Sequence, residues 1–334
     1  MRDLLYNQIN PIVRIEESRL LGSALFSKML ASQSFIEVKA LLQGTPYAEF
    51  IEASDFDTKF DYYLRKEQAR LLKKMYNLGP EKEVIEIYSL RYTYHNVKLL
   101  TKAAYSNQPL DQYFLDDGVY SLATIKSAIK NRRSSSVKGL LMESIVEVHD
   151  YLDNYDNLRA IDLIYDRYYL KQQRAVADQL NYPDLTKEVI AFIDLTNISM
   201  VARGIRQGRN ENFLLAGLSS SGSFSKRHLA TFASKPLADF IDFLMASDYK
   251  GVVAPLIDSE TQEINLQLLA RERDNFLTKL YSTAHTQAFG PLPLLALLNA
   301  KDIEIRNIQL LLVGKKNHFS EEVIGERMRE LDGL

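Results

Sequence analysis

The sequence predicts an all-α protein of three similar helical subdomains, and three observations carry that prediction. Turn-forming residues are scarce: 14 Gly and 9 Pro in 334 residues, about 7 % of the chain against a usual ~12 %. Stretches free of both carry charged and apolar residues at helical spacing, as from Ala53 to Leu78. One set of landmarks also occurs three times along the chain.

The clearest landmark is an asparagine where a helix former is expected. "HNVKLL" (residues 95–100), "TNISMV" (196–201) and "RNIQLL" (306–311) place Asn96, Asn197 and Asn307 before matching apolar residues. A proline opens each segment, Pro80, Pro183 and Pro291, at 16, 14 and 16 residues upstream of its asparagine. Proline suits the first turn of a helix, where its missing N–H is not needed. An aromatic-Leu pair comes earlier still: Tyr63-Leu64, Tyr169-Leu170 and Phe276-Leu277, the leucines lying 16, 13 and 14 residues before the proline. Each copy therefore reads as a long helix, a tight turn and a second long helix packed antiparallel. A helix of ~22 residues spans ~33 Å. The copies open less uniformly, since "ALFSKMLASQSFIEVKALL" (24–42) matches "GSFSKRHLATFASKPLADFIDFL" (222–244) while "GVYSLATIKSAI" (118–129) is shorter. The boundaries fall at 1–105, 106–209 and 210–334, intervals far longer than the ~34–47 residues of common helical solenoids.

The second helix of each pair is apolar on nearly every side, as in Val84, Ile85, Ile87, Tyr88, Leu90 and Tyr92. Such a helix is enclosed by neighbours. Asparagine there gives up roughly 0.7 kcal/mol of helix propensity, and an unpaired buried amide would add about 1–3 kcal/mol. The same cost met three times implies a partner each time, backbone from an adjoining helix end or loop. Asn96, Asn197 and Asn307 are thus expected to be equivalent structural locks, with Pro80, Pro183 and Pro291 as the matching helix starts.

Composition excludes several function classes. Cysteine is absent, so no disulfide, thiol nucleophile or thiolate metal site is available. Lys and Arg (41) nearly match Asp and Glu (43), which argues against a general nucleic-acid binder. "IKNRRSSSVK" (129–138) reads as a solvated loop, and "IYDRYYLKQQR" as core plus solvated face. No apolar run approaches the ~20 residues of a membrane-spanning helix, and the N-terminus lacks a signal-peptide core.

No catalytic residue, cofactor site or metal site can be nominated. "GLSSSGSFSK" (217–226) has two glycines at P-loop separation, but Ser223-Phe224 stand where Lys and Ser/Thr are required. It reads as a flexible loop before a helix capped by Ser225, and as a candidate contact surface through Ser219–Ser221. His95, His149, His228, His285 and His318 show no metal spacing. The carboxylates of "RIEESRL" and "FLDDGVY" have no neighbouring base or Gly-rich frame.

"LRYTYHNVKLLTKA", "YDRYYLKQQRAVADQL", "IDLTNISMVARG" and "KDIEIRNIQLLLVGKK" together resemble the C subunit of prokaryotic V-type (A/V-type) ATP synthases, a relative of the eukaryotic d subunit. The resemblance covers essentially the whole chain and all three repeats in order. It implies an all-helical funnel of three similar parts about a pseudo-three-fold axis, with no active site. It further implies a single-copy socket in a central rotor, on the cytoplasmic side of the membrane without spanning it. The implied partners are the membrane proteolipid ring, the coiled-coil central shaft and the shaft's small companion, with no nucleic acid. The reading from another class is a soluble helical adaptor that binds protein partners in a concave surface.

Overall fold

The computed structural model describes residues 2–331 apart from 107, 117, 118, 156, 157, 259 and 262. The fold is all-α: helix makes up 73 % and the described residues form no strand, only an isolated bridge between Ile257 and Ile264. Four short helices open the chain, α1 (Asn10–Glu17), α2 (Ser23–Ala31), α3 (Phe35–Leu41) and α4 (Ala48–Ile51). The long helices α5 (Phe56–Leu78) and α6 (Lys82–Ser106) follow. Next come α7 (Leu122–Asn131), α8 (Gly139–Asn154), and the long α9 (Arg159–Leu180) and α10 (Pro183–Arg206). Then α11 (Glu211–Gly217), α12 (Lys226–Thr231), α13 (Leu237–Met245) and α14 (Lys250–Val253) lead to α15 (Leu266–Lys279), α16 (Leu292–Lys316) and α17 (Glu321–Gly325).

Local chemistry sets the helix ends. Ser34, Ser121, Asn210, Ser225 and Ser320 each accept the backbone N–H three residues on, the standard N-cap bond. Pro183 is the first residue of α10 and Pro291 directly precedes α16. Pro80 stands two residues ahead of α6, in the connector rather than the first turn.

The third pair departs from the expected two long helices and tight turn. Helix α15 stops at Lys279 after 14 residues, and residues 280–291 run irregularly around a single 3-10 turn at Ala284–Thr286. The carbonyls of this stretch are taken from outside by α1. Arg14 Nη2 donates to Ala284 and Gln287 at 2.8 and 3.0 Å, and Asn10 Nδ2 to Ala288 and Gly290 at 2.9 and 3.2 Å. Gly290, at φ 79°, adopts the left-handed conformation that ends the detour.

Contacts divide the chain into two compact units, residues 1–85 with 274–334, and residues 86–273. In the first, α16 packs against α1, α3 and α5. Its core joins Phe26, Met29, Val38, Leu42 and Ile51 to Ile305, Ile308, Leu311 and Leu312. Helix α16 has no exposed stripe over its first four turns, so its charged residues are buried with it. In the second unit, α8 and α10 pack on α9, with Tyr94, Val97, Ile125, Ile145, Val148 and Tyr165 in one apolar cluster. The Tyr-rich stretch of α9 supplies that core: Tyr165 is fully buried, and Tyr94 meets Tyr165 and Tyr169 edge-on.

Candidate functional site: asparagine clasps and buried carboxylates

Each of the three asparagines closes the same ring with a single backbone residue. Asn96 donates from Nδ2 to the Leu115 carbonyl at 2.7 Å and accepts the Leu115 N–H at 3.0 Å. Asn197 does both with Ser219, at 3.0 Å each. Asn307 does both with Arg329, at 3.0 and 2.9 Å. All three are buried, at 1, 2 and 0 % exposure. The carboxamide carries one donor and one acceptor side by side, which matches the N–H and C=O of one residue. Aspartate would set two acceptors against that carbonyl, and alanine would leave both peptide groups unpaired.

The stretch after each asparagine also recurs, a feature missed from sequence. Seven residues on stand Ala103, Gly204 and Gly314, whose carbonyls accept the N–H of Gln108 (3.3 Å), Arg209 (2.9 Å) and Phe319 (2.9 Å). Gly208 and His318 reverse the chain at φ 62° and 57°. Helices α11 and α17 then press a side chain on the glycine. A Cβ on Gly204 would lie 2.6 Å from Leu214, and one on Gly314 would lie 2.6 Å from Ile324. In the first copy a single 3-10 turn at Asp111–Tyr113 stands in place of the short helix.

Two buried carboxylates lie one turn before the clasps, also missed. Asp194, fully buried, accepts from Ser223 N–H (2.8 Å), Ser223 hydroxyl (2.5 Å) and Tyr249 hydroxyl (2.9 Å). Burial and the adjacent Asp194 carboxylate push the Tyr249 phenol far above its usual range. Glu304, fully buried, accepts from Leu21 N–H (2.5 Å) and Tyr47 hydroxyl (2.6 Å). It also pairs with buried Lys301 at 2.7 Å, which lies 4.6 Å from the Tyr47 ring centre and 3.6 Å from Glu67. Burial raises the Glu67 carboxyl above its ordinary pKa, against the lowering pull of Lys301 and Arg70. In the first copy Thr93 holds the corresponding position.

The Gly/Ser loop read as flexible is in fact fastened. Ser219 is buried in its clasp, Arg174 donates to the Ser221 carbonyl at 2.9 Å, and Asp194 holds Ser223. Gly222 is required there, because a Cβ would fall 2.1 Å from Asp194 Oδ1. Ser225 caps α12 as expected. His149 packs in the second unit with Nδ1 2.8 Å from the Tyr105 hydroxyl. Among the described residues no three His, Asp or Glu side chains gather as a metal site, and no helix is long and apolar enough to cross a membrane.

These clasps order helices against returning backbone and offer no reacting group a substrate. The family described as ATP synthase (C/AC39) subunit matches residues 9–327. The chain belongs to that family. Its relatives include the C subunit of the V-type sodium ATPase of Enterococcus hirae, 43 % identical over 98 % of this chain and 99 % of that protein. The C subunits of the A-type ATP synthases of Methanocaldococcus jannaschii and Methanococcoides burtonii are 22 and 20 % identical, over 96 and 97 % of this chain and 85 and 94 % of theirs. A C/AC39 subunit is a structural, peripheral component of a rotary V-type ATPase complex and not its catalytic part.

Proposed function

We propose that this C/AC39 subunit is the socket of the central rotor, seating the coiled-coil shaft and its small companion on the membrane proteolipid ring. It acts there as a single copy on the cytoplasmic side, as three modules (1–105, 106–209 and 210–334) arranged as a funnel about a pseudo-three-fold axis. The observation that supports this best is the clasp itself, repeated on α6, α10 and α16 with the same two bonds. A coupling part must pass strain without yielding, and close-packed interiors with satisfied polar groups do so. The name of the Enterococcus relative favours sodium as the transported ion; ions would cross in the ring and ATP would be handled elsewhere in the complex. The test is affinity purification of the full chain from solubilised membranes. Recovery of both ring and shaft subunits supports the socket, and recovery of soluble proteins without either rejects it.

A further inference from the structure

On α10 two anchors hold stretches of chain that are covalent neighbours. Asn197 clasps Ser219, and Asp194, one turn earlier, holds Ser223, four residues further along. On α16 the equivalent anchors hold opposite ends of the chain. Asn307 clasps Arg329, close to the C-terminus, while Glu304 holds Leu21.

The stretch that begins at Leu21 matches the one at Ser223 residue for residue, at a constant offset. Tyr47 donates to Glu304 as Tyr249 donates to Asp194. Thr45 accepts the Tyr47 N–H at 3.2 Å and donates to the Leu42 carbonyl at 2.6 Å. Ser247 accepts the Tyr249 N–H at 3.2 Å and donates to the Leu244 carbonyl at 2.7 Å. Val38 and Phe240, Leu42 and Leu244, and Ile51 and Val253 are buried at matching positions.

We propose that Leu21–Ile51 is a closing strap: it covers α16 as residues 223–253 cover α10, but is delivered from the other end of the chain. No run of peptide bonds leads directly from Arg329 to Leu21. The Glu304–Leu21–Tyr47 bonds, the Lys315–Leu30 carbonyl bond of 2.6 Å and the shared apolar core make that join instead. The strap runs on into α5 through residues 52–55, so the chain's connectivity becomes a closed circuit. Its mechanical use rests on the coupling role proposed above: the strap adds a second route from α16 to α5 beside their direct packing and the Gln68–Asp302 bond. The closure itself does not depend on that role and is tested on the isolated full chain.

The test inserts a protease site after Ser54, outside the strap, and cleaves the folded protein. Fragment 1–54 is expected to co-elute with 55–334 in size-exclusion chromatography. Combining Tyr47→Phe with Glu304→Gln should speed release of 1–54 at least about tenfold, the factor expected from losing hydrogen bonds to a charged acceptor. Tyr47→Phe alone, which keeps the carboxylate and its lysine, should also speed release and serves where the double variant does not fold. Tyr249→Phe, the matching change at the Asp194 site, should leave release unchanged. Immediate loss of 1–54 on cleavage, release unaltered by Tyr47→Phe, or equal acceleration by Tyr249→Phe would each overturn the strap.

Discussion

Helices α10 and α16 bury a carboxylate at the same place and satisfy it by different chemistry. Asp194 accepts from two hydroxyls and two peptide N–H groups, all neutral. Glu304 accepts from a hydroxyl and a peptide N–H but also from Lys301, which in turn approaches Glu67. The two arrangements fix the same kind of segment, so an ion pair is not what the position requires. It requires an acceptor for a tyrosine hydroxyl and a backbone N–H one turn before the clasp. The ionic version ties in one more helix, α5 through Glu67, and makes the site more sensitive to loss of a single partner.

That contrast sets the largest predicted effect. Lys301→Met leaves Glu304 and Glu67 without their shared cation, and breaking a buried pair costs about 3–5 kcal/mol. Urea unfolding should show it as a lowered midpoint, whereas a loss under ~1 kcal/mol would mean Lys301 is dispensable to the node. Asp194→Asn, with no cation to strand, should cost less, about 1.5–3 kcal/mol from weakened charge-assisted bonds. Equal losses in the two variants would erase the distinction between the two helices.

The clasps come next. Asn197→Ala leaves the Ser219 N–H and C=O unpaired in a buried site and should cost about 1–3 kcal/mol, with Asn96→Ala alike. Asn307→Ala should cost less, since its bonds to Arg329 are only partly buried and water can replace them. A reversed order by thermal melting would show that the three sites are not equivalent in kind.

The smallest effect is one of pH. Burial, and then the nearby Arg132 charge, hold the His149 imidazole below its ordinary pKa. The folded state therefore binds this proton less readily than the unfolded chain, so the contribution is intact above the unfolded value of about 6.5. It should fade as pH falls from there toward the lower folded value. His149→Phe should flatten that slope below about pH 6.5, and an unchanged slope would remove His149 as its source.

Much of the fold was legible in the residues, and the failures have physical causes. Asn96, Asn197 and Asn307 stood out because a poor helix former sat in an apolar helix, and backbone was the partner expected of them. Gly204 and Gly314, in register with each other, were visible in principle as small residues seven places after two of the asparagines. The role of Asp194 and Glu304 was hidden, because a carboxylate in a charged sequence looks solvated until its distant donors are known. Leu21 and Tyr47 lie 283 and 257 positions from Glu304, and no local pattern announces such a pairing. The Gly/Ser loop was misread for the same reason, since composition reports freedom while its fastening comes from Asp194 and Arg174. The short α15 escaped because Asn10 and Arg14, which hold the carbonyls beyond it, belong to the far end of the chain.

Three long helices hold returning backbone by one repeated amide ring. Residue-resolved amide hydrogen exchange on the Asn96→Ala, Asn197→Ala and Asn307→Ala proteins addresses it most directly. Exchange should be faster at Leu115, Ser219 and Arg329 respectively, each in its own variant and little changed in the other two. Exchange at those amides that ignores the substitutions, or that rises everywhere together, would contradict it.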